Sequence, residues 1–358
     1  MIVLKIVLIL VVLDVVFDIV SYVARAAYRL DDEHDETHFV ACADGWRIAL
    51  HRVKPSRPDP DKLPVILCHG LGANRFNLNF PGRHSLARYL ADRGYDAYVL
   101  ELRGAGLSTR KRFFDPVRWD FGFLDFVEFD LPAAIDHVLK VTGKPRVHWV
   151  GHSMGGMVAY AFAQRPAAEK LASLCAVGSP GHFRNLSQMR GAARLKCLLA
   201  PFPVVRVDWI FGAFIPLVGH WNPKFITDNY NPENMAVRTA REAGANLVSP
   251  VSRKLLLDFA HYVETGRFEG ADGTDFAAGL DRVARPVFLI SGSVDKLAPR
   301  DCVEFVHARV VSADKKYRCF GKEFGDLSDY GHGDLLLGET APDEVFPAIA
   351  EWLEAHDA

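Results

Sequence analysis

The five residues Gly151-His152-Ser153-Met154-Gly155 constrain what this chain can fold into more than any other stretch, because of what flanks them. Before them runs Val147-His148-Trp149-Val150, a short apolar run of β-branched and aromatic residues such as buried strands use. After them runs MGGMVAYAFAQ, which reads as a buried helix. A strand that turns at once into a helix crowds its apex residue, and glycine on either side relieves the crowding. A serine at that apex presents its hydroxyl on a sharp turn, as a nucleophile must be presented. Gly155, Gly156 and Ala159 are small enough to let the helix pack closely on the strand. The bland alternative is a glycine-rich turn with an idle serine, and it leaves the strand and helix on either side unexplained.

The rest of the chain supplies the sheet that such a turn needs. HFVAC and WRIALHRV flank Asp44-Gly45 and read as an opening hairpin, since Asp-Gly between β-rich runs is a strong turn signal. KPSRPDPDKLP (54–64) holds four prolines and must be a loop. LPVILCHG, YDAYVLEL, RVHWVGHS, LASLCAVGS (171–179), RPVFLISGS (285–293) and KKYRCFG (315–321) read as strands of a parallel sheet. Helices are expected at 84–94, 130–143 and 342–356. This alternation implies an α/β fold, with a mostly parallel central sheet and helices on both faces. Residues 182–284 break the alternation as a helical cap, so the core falls into a first part (38–181) and a second part (285–358). The cap carries Phe202, Trp209, Phe211, Phe214, Trp221 and Phe225. It should lie over the carboxyl edge of the sheet, with some of these rings facing a substrate.

Residues 2–23, IVLKIVLILVVLDVVFDIVSYV, are long enough for a membrane-spanning helix, but Lys5, Asp14 and Asp18 interrupt them. On a helical wheel Asp14, Asp18, Ser21, Tyr22, Arg25 and Arg29 share a stripe roughly 100° wide, opposite a face of Ile, Val, Leu and Phe. Residues 1–30 are therefore expected to be a membrane-associated helix. The alternatives are a cleaved signal with an A-x-A site at Ala24-Arg25-Ala26, or a helix docked on the protein's own surface. The acidic stretch DDEHDET (31–37) reads as a solvated linker.

Formal net charge is −2, so there is no basic footprint for nucleic acid. The six cysteines form no CxxC pair and mostly sit in apolar runs, which points to buried free thiols rather than a disulfide framework. His34 and His38 are four apart but have no Cys or third His near them in sequence, and no phosphate-binding glycine loop is present. No metal or cofactor is expected. Asn185-Leu186-Ser187 is a glycosylation sequon, relevant only in an exported protein.

A serine needs a base and an orienting acid before it attacks. Asp295, in FLISGSVDKLAP, follows a strand directly and projects from the carboxyl edge; Asp301 and Glu101 compete for its role. His332, in DYGHGDLLLG, occupies the loop between the last strand and the final helix. Asp329 and Asp334 beside it read as loop or helix-cap carboxylates. The glycine-rich loop Cys68-His69-Gly70-Leu71-Gly72 follows a strand, and the backbone N–H groups of Leu71 and Met154 are the expected donors to an oxyanion. His69 and His152 read as structural.

Taken together, HGLG, ELRGAGLS (101–108), GHSMGG, SGSVDKLAP and YGHGDLL resemble the α/β-hydrolase superfamily over about residues 38–356. Within it, the HGLG loop, the cap and the ending DYGHGDLLLG…VFPAIAEWL look most like lipase and esterase members, including acid lipases. The polyhydroxyalkanoate synthase branch is also similar, but it has cysteine where this chain has Ser153. Dehalogenases and epoxide hydrolases carry aspartate there. The strand-4 motif usually begins with Asp and begins here with Glu101. The resemblance implies a serine hydrolase that cleaves a carboxylic ester of a lipophilic acyl group through a Ser153-Asp295-His332 triad and an acyl-enzyme. An acyltransferase or thioesterase with the same triad, or a membrane-bound scaffold without chemistry, are the alternatives.

Overall fold

A computed structural model describes residues 2–108, 119–184, 203–221, 224–270 and 272–357, with backbone alone over 2–14 and at 225. The sequon at 185–187, Phe202, Cys197 and the side chain of Phe225 lie outside the described residues. Helix α1 (Ile2–Ala27) is followed by the hairpin of β1 (Glu36–Ala41) and β2 (Arg47–Val53). Gly45 takes a φ of 88° in its turn, as the Asp-Gly pair led one to expect. Then β3 (Val65–Cys68), α2 (Leu86–Ala91), β4 (Ala97–Glu101), α3 (Leu131–Thr142), β5 (Val147–His152), α4 (Met154–Phe162) and β6 (Leu171–Val177) alternate along the chain. The cap contributes β7 (Val204–Val205), α5 (Val207–Phe214), α6 (Val237–Asn246), β8 (Val251–Ser252) and α7 (Arg253–Thr265). The core resumes with β9 (Val287–Gly292), α8 (Arg300–Arg309), β10 (Lys315–Phe320) and α9 (Ala341–Glu354).

Eight strands form one sheet in the order β1-β2-β4-β3-β5-β6-β9-β10. Only β2 runs against its neighbours; from β4 to β10 all pairings are parallel. The runs of β3 to β6 and β9 are almost continuously apolar because both faces are covered, whereas β10 at the edge opens with exposed Lys315 and Lys316. Ile66, Tyr98, Leu100 and Trp149 point to a layer with α3, α4 and α8. Val65, Leu67, Val99 and Val150, one residue out of phase, point to a layer with α2 and α9. Cys42, Cys68, Cys175, Cys302 and Cys319 are buried free thiols, as read from the sequence.

Three local features depart from the sequence reading. The helix expected over 84–94 is confined to Leu86–Ala91, capped by Ser85, whose hydroxyl accepts the Arg88 N–H. A π-helical turn (Phe126–Asp130) precedes α3 and brings Asp130 inside, where it takes the backbone N–H and the guanidinium of Arg103. The cap is not wholly helical: β7 and β8 pair as a short antiparallel ribbon, and Ser252 bonds both the Phe121 carbonyl and the Leu255 N–H.

Glu101, at the end of β4, is fully buried and bonded by His51 Nε2 (3.0 Å), Arg75 (2.9 Å) and the Leu107 N–H (2.6 Å). Burial alone would raise its pKa; His51, Arg75 and the Leu107 N–H outweigh that and hold it at about 2. A carboxyl held that far below its unfolded value stabilises the fold by about 3 kcal/mol. That stability is fully present above the unfolded pKa and is lost as pH falls through it toward the folded one. Glu101→Gln should therefore flatten the pH dependence of the denaturation midpoint between pH 5 and pH 2.5, measured by urea unfolding at each pH.

Candidate active site

Ser153 joins β5 to α4 with φ 54° and ψ −119°, and it alone among the described non-glycine residues has a positive φ. Such a conformation costs on the order of 1–3 kcal/mol and persists only where its surroundings enforce it. Here the Ser153 N–H donates to the Val177 carbonyl at 2.8 Å, while its own carbonyl accepts from Gly156 and Met157. The flanking glycines are required by space: a Cβ on Gly151 would meet Gly155 at 2.3 Å, and one on Gly155 would meet the Cys68 carbonyl oxygen at 2.4 Å. The hydroxyl of Ser153, half-buried, makes no hydrogen bond among the described residues. Contacts of that kind often tighten only once substrate is bound.

The loops after β9 and β10 bring Asp295 and His332 together. His332 Nδ1 stands 2.8 Å from Asp295 Oδ2, and both residues are buried. Asp295 Oδ1 accepts the Leu297 and Ala298 N–H groups, each at 2.8 Å. Burial would raise the Asp295 pKa, but His332 and these two N–H groups overcome it and leave the carboxyl below its ordinary value. The competing acids have other surroundings: Glu101 is enclosed by its own partners, and Asp301 lies exposed in the first turn of α8. Asp334 holds the His332 loop by accepting the Gly331 and Asn231 N–H groups, the role its position suggested.

The loop after β3 passes directly beside the serine, for a Cβ on Gly70 would lie 3.0 Å from Ser153 Cβ. His69 locks the loop: Nδ1 donates to the Gly70 carbonyl (2.8 Å) and Nε2 accepts the Leu102 N–H (3.1 Å). Burial lowers its pKa, so it stays neutral. The backbone N–H groups of Leu71 and Met154 have no acceptor among the described residues. His152 lies against Asn77 Oδ1 (2.9 Å) and the His332 carbonyl (3.1 Å), tying the elbow to the His332 loop. Burial holds it neutral with a pKa of about 3. Asn77 was not singled out from sequence, although its Oδ1 also takes the Gly70 N–H at 3.1 Å. Nothing local marks it, because its partners are 7 and 75 positions away. A narrow cleft, lined by His69, Leu102, Arg103, Phe121, Phe126, Val251 and Leu255 among others, opens beside Met154.

Two sequence expectations change here. His34 does acquire a second histidine, since β2 places His51 4.6 Å away ring to ring, with Asp32 close by. The ring nitrogens of this group are occupied by Asp32, Thr37 and Glu101, which accounts for the cluster as a hydrogen-bond network. None of the described cap aromatics lines the cleft beside Met154. Trp209 packs edge-on against Phe17 of α1, and Trp221 is 57% exposed.

A family model described as the alpha/beta hydrolase fold matches residues 64–196. A probable lipase of Schizosaccharomyces pombe is 26% identical across 91% of this chain and 75% of its own length. Triacylglycerol lipase 2 of Arabidopsis thaliana is 23% identical across 89% of this chain and 84% of its own. Among solved structures, an esterase from Exiguobacterium antarcticum superposes with a TM-score of 0.60 at 14% identity, covering 89% of this chain and all of that one.

Proposed function

The chain is an α/β hydrolase similar to lipases and esterases, and from that premise we propose that it cleaves carboxylic esters with Ser153 as nucleophile. The observation that carries the reading is the Asp295–His332 hydrogen bond, set beside a serine held at positive φ. His332 Nε2 takes the Ser153 proton as Oγ adds to the acyl carbon, and the Leu71 and Met154 N–H groups receive the charge on the carbonyl oxygen. The C–O bond to the leaving alcohol then breaks, and His332 returns the proton to that alcohol. Water repeats the sequence on the acyl-enzyme and releases the acid. Asp295 keeps Nδ1 protonated, so that Nε2 remains free to act as base, and it stabilises the imidazolium that forms.

The mostly apolar lining of the cleft beside Met154 and the lipase names of the relatives support a lipophilic acyl group as substrate. The test is a p-nitrophenyl ester series from acetate to palmitate, run beside labelling with a fluorophosphonate and mapping of the adduct. Turnover with an adduct on Ser153 is expected, and the chain-length optimum separates an esterase from a lipase. Labelling without ester turnover, together with acyl transfer to an added alcohol or cleavage of a thioester, would replace hydrolysis of esters by those reactions. No adduct at all would remove the catalytic reading.

A further inference from the structure

Helix α1 is turned the opposite way from an ordinary surface helix. Its polar residues Asp18, Ser21 and Arg25, spaced to share one face, point at the cap. Ser21 is fully buried and its hydroxyl donates to the Trp209 carbonyl at 3.0 Å. Arg25 reaches Asp208 at 2.9 Å and the Ala245 carbonyl at 3.1 Å. A Cβ on Gly212 would meet Ser21 Oγ at 2.2 Å, so the absence of a side chain there is what lets α5 come so close. With Ser21 and Arg25 used in this way, α1 turns its apolar side outward: Val16 is 51%, Ile19 56% and Val23 57% exposed, and Tyr22 of the polar stripe is exposed beside them.

The cap also carries exposed apolar residues. Ile210, Trp221 and Val237 are exposed on the elements packed against α1 or next to them. Charge is arranged to match. Residues 15–29, 203–221 and 236–247 hold five arginines against three acids, in a chain whose formal net charge is −2. Arg29, Arg206 and Arg238 are exposed, the last two paired with Asp208, which is buried, and with Glu242, which is half-buried. An apolar face rimmed by net positive charge suits an anionic bilayer surface. A second copy docked face to face would set like charge against like.

We propose that α1 and the cap form a single lipid-docking face that takes an anionic bilayer, with the cap itself in contact with lipid. This claim is independent of which bond Ser153 cleaves. The face is joined to the proposed site by a short run of hydrogen bonds. Asn246 bonds the Leu30 N–H and the Tyr28 carbonyl, Asn74 bonds the Asn246 carbonyl, and the Ser249 N–H donates to Gly72 in the HGLG loop. Docking therefore bears, through these bonds, on the loop that carries Leu71.

The full chain carrying Ser153→Ala, which removes hydrolysis as a variable, is added to vesicles of phosphatidylcholine alone or mixed with phosphatidylglycerol. Several-fold more protein should co-float with the mixed vesicles, and Ile19→Glu with Val23→Glu should lower that binding at least tenfold. Brominated acyl chains should quench tryptophan emission, and Trp221→Phe should remove most of the quenching. Trp221→Phe is a mild change at an exposed site, so it reads out even where the glutamate pair fails to fold. Equal quenching with and without Trp221 would mean that α1 alone holds the chain, and would overturn the proposal. So would equal binding to neutral vesicles, or a dimer in place of vesicle binding.

Discussion

Ser153→Ala is expected to lower kcat on p-nitrophenyl esters by roughly 10⁵–10⁶-fold, the scale seen when the nucleophile of a coupled Ser-His-Asp set is removed. KM should change little, because the hydroxyl contributes only as the acyl carbon is attacked. The structure also says what should not change. The main chain of Ser153 is bonded through its N–H to Val177 and through its carbonyl to Gly156 and Met157, while the hydroxyl has no partner among the described residues. Alanine keeps every one of those backbone bonds, and at φ 54° it carries the same strain as serine. The thermal midpoint should stay within a degree or two of wild type. A residual rate of roughly 10³–10⁴ over water should persist from the Leu71 and Met154 donors and from substrate binding. Wild-type rates in the variant would show that the hydroxyl is idle and the turn a packing device.

The parts of the molecule legible in the sequence are those whose cause is local. Strands β3 to β6 and β9 were readable because a strand covered on both faces is an almost unbroken apolar run, and turn residues bound each one; β10, KKYRCF at the sheet's edge, is not such a run. Ser153 could be singled out because it directly follows β5, Asp295 because it stands three residues past β9, and His332 from its glycine-flanked place in the loop between β10 and the final helix. Asn77 was invisible because its work is done on Gly70 and His152 across the fold. The His34–His51 contact was hidden in the same way, across the β1–β2 hairpin. Two-residue strands such as β7 and β8 have no period to detect. The wheel of α1 grouped Ser21 and Arg25, which meet the cap, with Tyr22 and Arg29, which are exposed, and periodicity says only that the two faces differ. The side facing the protein was decided by Asp208, the Trp209 carbonyl and Gly212, nearly two hundred residues away.

The acid of the proposed triad gives the second large effect: Asp295→Asn should lower kcat by roughly 10⁴-fold while the protein stays folded. In the wild type Asp295 Oδ1 is fixed by the Leu297 and Ala298 N–H groups, and Oδ2 accepts the Nδ1 proton of His332. An asparagine fits that frame in one orientation only. Its carbonyl oxygen must stay with the two N–H donors, so its NH₂ must face His332. Nδ1 then becomes an acceptor, the proton moves to Nε2, and the imidazole turns an N–H toward Ser153 where a lone pair is needed. The shape of the site survives and the base is lost. Glu101→Gln leaves Asp295 and His332 untouched and should keep most of the activity near neutral pH, so the two variants together separate catalytic from structural carboxylates. Because the Asp295 carboxyl is held below its ordinary value, it stays ionised on the acid side of neutrality, and a fall in rate between pH 7 and pH 5 cannot come from its protonation. A loss of less than about tenfold in Asp295→Asn would mean that a carboxylate there is not required to set the His332 tautomer. The hydrogen bond between the two would then serve to hold the loops after β9 and β10 together.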